Sequence, residues 1–203
     1  IYSIIKKYSS LFKKKLKLYK LYANNSTIMS DKKTICIFCS SSNSIPDIYF
    51  TETEKLGTLL ASAGYDLVYG AGNLGLMGSI ANAFKKHNRS ITGIIPQKLN
   101  EFISPFEGHH EIVITKTMSE RKDNMIEKAY GFVTLPGGFG TLEEILEVIT
   151  LKQLGYIDKP ITILNTNGFY DNLLLQLETI YKERFAKESN REIYFVSKDP
   201  NEI

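Results

Sequence analysis

The residues of this sequence best suited to chemistry lie in two short charged segments, and the first is MSERKDNM at residues 118–125. Charged runs on helices usually form ion pairs between residues three or four positions apart. Arg121 and Lys122 have no carboxylate at those spacings on their own predicted helix. We therefore expect both cations to be free to bind an anionic ligand.

The second charged segment is TLEE at residues 141–144, which holds Glu143 and Glu144. Two interpretations of Glu144 stand side by side. It is either a catalytic carboxylate or the fourth position of a capping box that begins at Thr141 and satisfies free backbone N–H groups. Helical periodicity predicts a core-facing stripe that leaves both glutamates off the core side. That predicted stripe consists of Leu142, Ile145, Leu146 and Ile149.

Three loops rich in glycine or serine each follow a predicted strand and enter a helix: residues 40–44, 70–78 and 136–141. Glycine lets the backbone approach an anion, and a helix start presents unpaired N–H groups. The loops therefore favour a phosphate site, although a single glycine turn is equally explained by chain reversal. No Gly-Lys-Ser/Thr closes a loop, which disfavours NTP hydrolysis, and the loop at 136–141 lacks the GxGxxG spacing followed by an acidic residue at a strand end, which disfavours NAD binding. The candidate phosphate contacts are Ser40, Ser41, Gly72, Gly75, Gly138, Phe139 and Gly140.

Short apolar runs alternate with longer helical patterns from residue 34 onward, which predicts an α/β fold with a parallel sheet and helices on both faces. In such a sheet the ligand site lies beyond the carboxyl ends of the strands, where strand order reverses. We predict one domain over residues 29–203. Strands are expected at 34–39, 66–69, 90–95, 111–115, 132–135, 160–165 and 193–196. Helices are expected at about 47–63, 75–88, 117–129, 141–154 and 168–186.

The charge distribution argues against a nucleic-acid partner. Lys+Arg total 25 against 22 Asp+Glu in 203 residues. Seven lysines and no acidic residue fall in residues 1–28, so residues 29–203 carry 18 basic against 22 acidic residues, a net charge of −4. No apolar run reaches the roughly 18 residues of a membrane span, so we expect no membrane partner. Residues 1–28 are expected to be a disordered basic extension or a targeting peptide, which makes the expected location cytoplasmic or, alternatively, an organelle.

The two cysteines and three histidines indicate no metal or redox site. Cys36 and Cys39 lie three apart on one predicted strand and so face opposite sides of the sheet, which favours buried, reduced thiols. His109 and His110 have no partner at metal-ligand spacing. We expect no metal and no cofactor.

Seven segments in this order and spacing resemble the LONELY GUY (LOG) family of cytokinin-activating phosphoribohydrolases: CIFCSSS, YGAGNLGLMG, GIIP, MSERKDNM, LPGGFGTLEE, EVITLKQLG and KPITILN. The resemblance covers about residues 33–200 and implies a Rossmann-like fold, usually as a homodimer. It implies an N-glycosyl hydrolase that splits cytokinin riboside 5′-monophosphates into the free base and ribose 5-phosphate. The sequence departs from the family at Ser119, where many members have His, and at Ala71, where many have Gly; we interpret the second change as conservative.

The resemblance also assigns roles to residues. It implies that Arg121 and Glu144 are the catalytic pair, and that a small-molecule nucleotide is bound by the remaining positions. Those implied substrate contacts are Glu107, Lys122, the stretch from Gly138 to Glu144, which includes Thr141, Leu142 and Glu143, and Thr150. Glycosidic cleavage passes through an oxocarbenium-like sugar, which a carboxylate stabilises while it activates water. Two alternatives stay open: a general AMP-type nucleosidase, and a nucleotide or cofactor carrier without turnover.

Overall fold

A computed structural model describes residues 33–102 and 105–203. The predictions for residues 1–28 lie outside the described residues. Within the described residues, seven strands form one sheet in which every neighbouring pair is parallel. The strands are β1 (Thr34–Phe38), β2 (Asp66–Tyr69), β3 (Ile91–Pro96), β4 (Glu111–Thr115), β5 (Gly131–Thr134), β6 (Ile161–Leu164) and β7 (Phe195–Ser197).

Six α-helices connect these strands in the described part of the chain. They are α1 (Asp47–Ser62), α2 (Gly75–Lys86), α3 (Gln97–Asn100), α4 (Met118–Lys128), α5 (Phe139–Gln153) and α6 (Asp171–Lys182). Three short 3₁₀ helices, at Thr166–Gly168, Glu188–Ile193 and Pro200–Glu202, complete the connections. None of the helices described here is long and apolar enough to cross a bilayer.

The alternation of side chains along β1 shows how the sequence builds two cores, one on each face of the sheet. Ile35 and Ile37 join the core that α1 and α2 cover, whereas Cys36 and Phe38 join the core that α4, α5 and α6 cover. The prediction of helices on both faces is therefore confirmed. Cys36 and Cys39 are buried and unbonded, on opposite faces, and burial raises the pKa of both thiols.

The strand order is β4-β3-β2-β1-β5-β6-β7. The chain builds outward from β1 in one direction and then returns to add β5 on the other side of β1. The β1–β5 boundary is thus the point where the direction of winding reverses, and ligand crevices of open α/β sheets form at that point. The three loops singled out in the sequence follow β1, β2 and β5, so all three meet beside it.

Several boundaries differ from the sequence predictions. Helix α5 begins at Phe139, two residues before the predicted start, because the backbone of Gly138 serves as its N-cap. The predicted helix 168–186 is shorter, since a 3₁₀ turn precedes it and Asp171–Lys182 alone is α-helical. The last strand lies at Phe195–Ser197 because residues 188–193 form a 3₁₀ helix.

Candidate active site

A cavity of about 560 Å³ opens at the carboxyl ends of β1, β2 and β5. Backbone and small side chains of the three loops form most of its wall, and Arg121 and Glu144 lie along one side. Of the residues expected at the site, the cavity brings together Ser40, Ser41, Gly72, Arg121, Gly138, Phe139, Gly140, Thr141 and Glu144. The cavity residues that were not named as candidates are Cys39 and Leu99, which lie outside the predicted loops, and Ser42, Gly70 and Met77, which lie within them.

Arg121 and Glu144 form a buried ion pair. Nη1 of Arg121 lies 2.8 Å from Oε1 of Glu144, and each residue is only 7% exposed. Nε of Arg121 donates a second hydrogen bond, of 3.1 Å, to the carbonyl of Ile94 within β3. The expectation that Arg121 is free was wrong, because its carboxylate partner comes from α5 and not from its own helix. The guanidinium is held in one orientation at the cavity wall.

The first turn of α4, which presents Arg121, is fixed by its own cap. The hydroxyl of Thr117 accepts a 3.1 Å hydrogen bond from the backbone N–H of Glu120, and the carboxylate of Glu120 accepts one of 2.8 Å from the N–H of Lys116. These two hydrogen bonds resemble the reciprocal pair of a capping box, the motif that we considered for residues 141–144. They stabilise the helix start three residues before Arg121.

Glu144 is not a helix cap, so that interpretation was wrong. The N-cap of α5 is Gly138 without a side-chain cap, and Glu144 lies in the second turn. The helix buries Thr141, Glu144, Ile145 and Val148, whereas Leu146 of the predicted stripe is 40% exposed. The buried face is rotated from the predicted one, and the rotation places the carboxylate of Glu144 against Arg121.

The electrostatic environment of Glu144 suits a base. Burial raises the pKa of its carboxyl above the ordinary value, although the adjacent Arg121 acts in the opposite direction. A carboxylate with a raised pKa accepts a proton more readily than an exposed one. The pair therefore combines a fixed cation with a carboxylate able to activate water.

Lys122 lies on the other side of α4 and is also paired. Its amine contacts the carboxylate of Glu143 and lies 3.0 Å from Oε2 of Glu147, both on α5. The expectation that Lys122 is free was therefore wrong. Partial burial lowers the pKa of Lys122, but its bonds to the two carboxylates outweigh this and raise it overall. In this chain Lys122 links α4 to α5 outside the cavity wall.

The remaining implied contacts lie away from this cavity. Glu107 is exposed on the β3–β4 connection, and Thr150 is exposed on α5, where its hydroxyl donates to the carbonyl of Leu146 at 2.7 Å. Leu142 is partly buried in the core beneath α5. One chain by itself does not bring these three residues to the cavity.

Two loop positions show why the site needs particular backbones. Gly75 has a φ of +59°, and a Cβ there would stand 2.6 Å from the backbone of Ser41, so glycine lets the first two loops touch. Ala71 is buried with a φ of +65°. This left-handed conformation strains alanine but not glycine, so the exchange that we interpreted as conservative carries a backbone cost of about 1 kcal/mol.

Gly70 holds Arg121 in place by having no side chain. A Cβ at Gly70 would stand 2.3 Å from Nη2 of Arg121, which no real contact allows. We expect Gly70→Ala to displace the guanidinium and to lower kcat by about 100-fold, the scale of an ångström-sized misplacement. Steady-state kinetics with a nucleotide substrate measures this loss in kcat.

Gly72→Ala is the matched control for that prediction, because its Cβ would meet only the flexible side chain of Met77, at 2.8 Å from Sδ. We expect a loss of at most about fivefold, since a methionine end can move aside. Equal losses for the two variants would contradict a specific role for Gly70.

The chain has relatives of named activity. Residues 77–203 match the model of a family described as "possible lysine decarboxylase". Cytokinin riboside 5′-monophosphate phosphoribohydrolase LOG1 of Arabidopsis thaliana is 40% identical over 87% of this chain and 83% of its own length. Probable cytokinin riboside 5′-monophosphate phosphoribohydrolase LOGL2 of Oryza sativa subsp. japonica is 38% identical over 87% of this chain and 72% of its own length.

Solved structures share the fold at low identity. The molybdenum cofactor binding protein of Rippkaea orientalis superposes with a TM-score of 0.65 at 20% identity, over 85% of this chain and 93% of the other. The molybdenum cofactor carrier protein of Chlamydomonas reinhardtii gives a TM-score of 0.64 at 18% identity, over 84% of this chain and 92% of the other. These similarities establish the Rossmann-like fold.

Proposed function

The chain belongs to the LOG family of cytokinin riboside 5′-monophosphate phosphoribohydrolases, and on that basis we propose that it hydrolyses the N-glycosidic bond of these nucleotides. The products are the free cytokinin base and ribose 5-phosphate. The observation that carries the proposal is the buried Arg121–Glu144 pair at the wall of a cavity built from phosphate-type loops.

The start of α5 supplies the phosphate site in this proposal. The first N–H groups of a helix have no partner within it, and the helix dipole adds positive potential there. Phe139, Gly140 and Thr141 are those first residues, and all three line the cavity. A Cβ at Gly138 or Gly140 would meet no atom within 4 Å, so both positions are open toward a ligand.

The chemistry assigned to the pair follows from charge development. Cleavage makes the ribose oxocarbenium-like, and the carboxylate of Glu144 stabilises that charge while it orients or deprotonates the attacking water. The leaving base gains negative charge, which the guanidinium of Arg121 offsets. Its fixed bonds to Ile94 and Glu144 hold the cation ready for this.

The description "possible lysine decarboxylase" does not fit this cavity. Decarboxylation with pyridoxal phosphate needs a lysine that forms a Schiff base with the cofactor. The residues described as lining the cavity include no lysine. Lys122 is held outside it by Glu143 and Glu147.

The test of the function is product release from paired substrates. The protein is incubated with isopentenyladenosine 5′-monophosphate and, separately, with AMP, and the free base is measured by chromatography. We expect base release from the cytokinin nucleotide, with a higher kcat/KM than for AMP. Equal rates would establish a general nucleosidase, and binding of both without release would establish a carrier.

We also propose that the protein is a homodimer whose interface includes the outer face of α5. Phe139, Leu146 and Leu154 are 94%, 40% and 64% exposed, and with Thr150 they share one face of the helix. Exposed apolar faces beside a site are typical of interaction surfaces. A second copy on this face would also bring its chain close to the mouth of the cavity.

Light scattering after size exclusion tests the assembly. We expect the mass of two chains for the native protein and of one chain for Leu146→Glu, because a charge would be buried at the interface. Leu175→Glu, on the exposed part of α6, is the control and should remain dimeric. A native monomer would contradict the proposal. The cytoplasmic location stays a prediction.

A further inference from the structure

The β3–β4 connection packs against the glycine turn that follows β2. The N–H of Phe106 donates to the carbonyl of Ala71 at 3.3 Å, and Gly72 forms an isolated antiparallel bridge with Pro105. Gly70 and Gly72 in this turn line the cavity, and Gly70 abuts the guanidinium of Arg121. Whatever holds the turn therefore also shapes the cavity wall.

Tyr69, the last residue of β2, contacts both the β3–β4 connection and the glycine turn that follows β2. The residue is completely buried, and its hydroxyl lies 3.2 Å from the carbonyl oxygen of Gly72 and 3.0 Å from Nε2 of His109. Its ring also stacks on the imidazole, with centroids 5.6 Å apart. The two side chains thus share both a hydrogen bond and an aromatic contact.

The direction of these bonds follows from the number of protons. The tyrosine hydroxyl has one proton, and the carbonyl of Gly72 can only accept, so the hydroxyl donates to Gly72 and accepts from His109. This requires His109 to carry its proton on Nε2. Nδ1 of His109 is buried without a hydrogen-bond partner among the described residues, and a bare nitrogen there costs less than an unsatisfied N–H.

Neighbouring residues leave a defined space for the imidazole of His109. A Cβ at Gly93, in β3, would stand 2.4 Å from Nε2 of His109, so the absence of a side chain there makes room for the ring. The ring of Phe106 meets the imidazole edge-on, at 5.7 Å between centroids. Strand β3, strand β2 and the β3–β4 connection together enclose His109.

We propose that His109 is a positioning residue of the proposed hydrolase: through the hydroxyl of Tyr69 it holds the Gly70–Gly72 turn as the nucleotide-binding wall of the cavity. His109 does not touch the substrate. Its effect on the nucleotide is indirect. Without His109, the backbone of the Gly70–Gly72 turn would no longer be held as a fixed surface for the nucleotide. The inference rests on the proposed function for its kinetic readout.

The proposal includes a pH dependence with a definite sign. Burial lowers the pKa of His109 because it disfavours the charged imidazolium, although the nearby backbone of Phe106 acts in the opposite direction. Protonation would place a positive charge on this enclosed ring. The network is therefore intact at neutral pH and weakens as the pH falls through the lowered pKa, so KM should rise on the acid side.

Other titratable groups near this network are few. Lys85 lies with its amine 5.5 Å from the ring centroid of Phe106, and Tyr69 is a neighbour of the buried Cys39 thiol, which together with burial raises the tyrosine pKa. Glu107 and His110 flank His109 along the chain. Of these five groups, Tyr69 alone is hydrogen-bonded to the imidazole within the described residues.

Three variants test the proposal by the division between KM and kcat. Tyr69→Phe and His109→Leu should raise KM by about five- to tenfold with kcat within about twofold, because they release the turn but leave the catalytic pair. His109→Gln can still donate to Tyr69, so it should restore most of the native KM and remove the acid-side rise. His110→Gln is the control and should keep the native profile, since the imidazole of His110 accepts a hydrogen bond of 3.2 Å from the N–H of Ile91 and not from Tyr69.

Binding separates this proposal from the proposed function. In a Glu144→Gln background, calorimetry with isopentenyladenosine 5′-monophosphate should show a Kd about five- to tenfold higher for His109→Leu. If the native protein releases no base, the proposed function fails and the Kd comparison still decides the role of His109. Unchanged KM and Kd in both Tyr69→Phe and His109→Leu, in folded protein, would overturn the positioning role.

Discussion

Replacing Glu144 by glutamine is expected to lower kcat by about three orders of magnitude, within the range that loss of a general base or charge stabiliser produces. Glutamine keeps the shape of the side chain and can still accept a hydrogen bond from Arg121. It cannot ionise, so it neither deprotonates water nor stabilises an oxocarbenium-like ribose. The rate of base release from a cytokinin riboside 5′-monophosphate, at saturating substrate, measures the loss.

Glu147→Gln is the matched control, one turn further along α5. Glu147 contacts Lys122 and not Arg121, so this variant should keep kcat within about twofold, as expected for a partly exposed ion pair. Glu144→Gln also leaves Arg121 with less compensation in a buried position, which destabilises a fold. Thermal unfolding must therefore show that the variant is folded at the assay temperature. A folded Glu144→Gln protein with at least a tenth of the native rate would contradict the catalytic assignment.

Removing the 5′-phosphate from the substrate is expected to lower kcat/KM by about three orders of magnitude. Binding energy from a non-reacting group is used to orient the reacting bond, so a truncated substrate loses kcat as well as affinity. The phosphate would bind the N–H groups at the start of α5 and the loop that contains Ser40 and Ser41. Isopentenyladenosine compared with its 5′-monophosphate provides the measurement.

Phosphite added to the reaction with isopentenyladenosine checks the origin of that loss. A dianion in the loop site should restore part of the rate if the loops act through phosphate binding. Sulfate at equal ionic strength controls for general salt effects. Similar kcat/KM values for the nucleoside and the nucleotide would contradict the proposed role of the loops. They would not change the roles proposed for Arg121 and Glu144.

The elements of the fold could be predicted closely from the sequence because their signals are local. Each strand is a short apolar run, each helix has its own periodicity, and glycine or serine marks the loops between them. The boundaries that failed depended on less visible features. Helix α5 starts at Phe139 because the backbone of Gly138 caps it, and no capping side chain indicated that position.

The candidate site could be predicted as a set of residues but not as an arrangement. We expected Arg121 and Lys122 to be free because the sequence reveals only partners on the same helix, whereas their carboxylates come from α5. The importance of Gly70 depends on the guanidinium of Arg121, 51 positions later in the chain. His109 offered no signal, since its partner Tyr69 is an ordinary strand residue until the fold stacks the two rings.

By itself, the sequence determined the α/β class, the seven parallel strands, the three loops that meet at the cavity and, through its motifs, the family. These properties depend on patterns within about 20 residues, which the chain carries wherever it folds. Only the tertiary structure decided which charges pair, that Glu144 is a buried partner of Arg121 and no cap, and that Lys122 lies outside the cavity. Those outcomes depend on how α4 and α5 pack across the sheet, because a side chain finds its partner by distance in space and not along the chain.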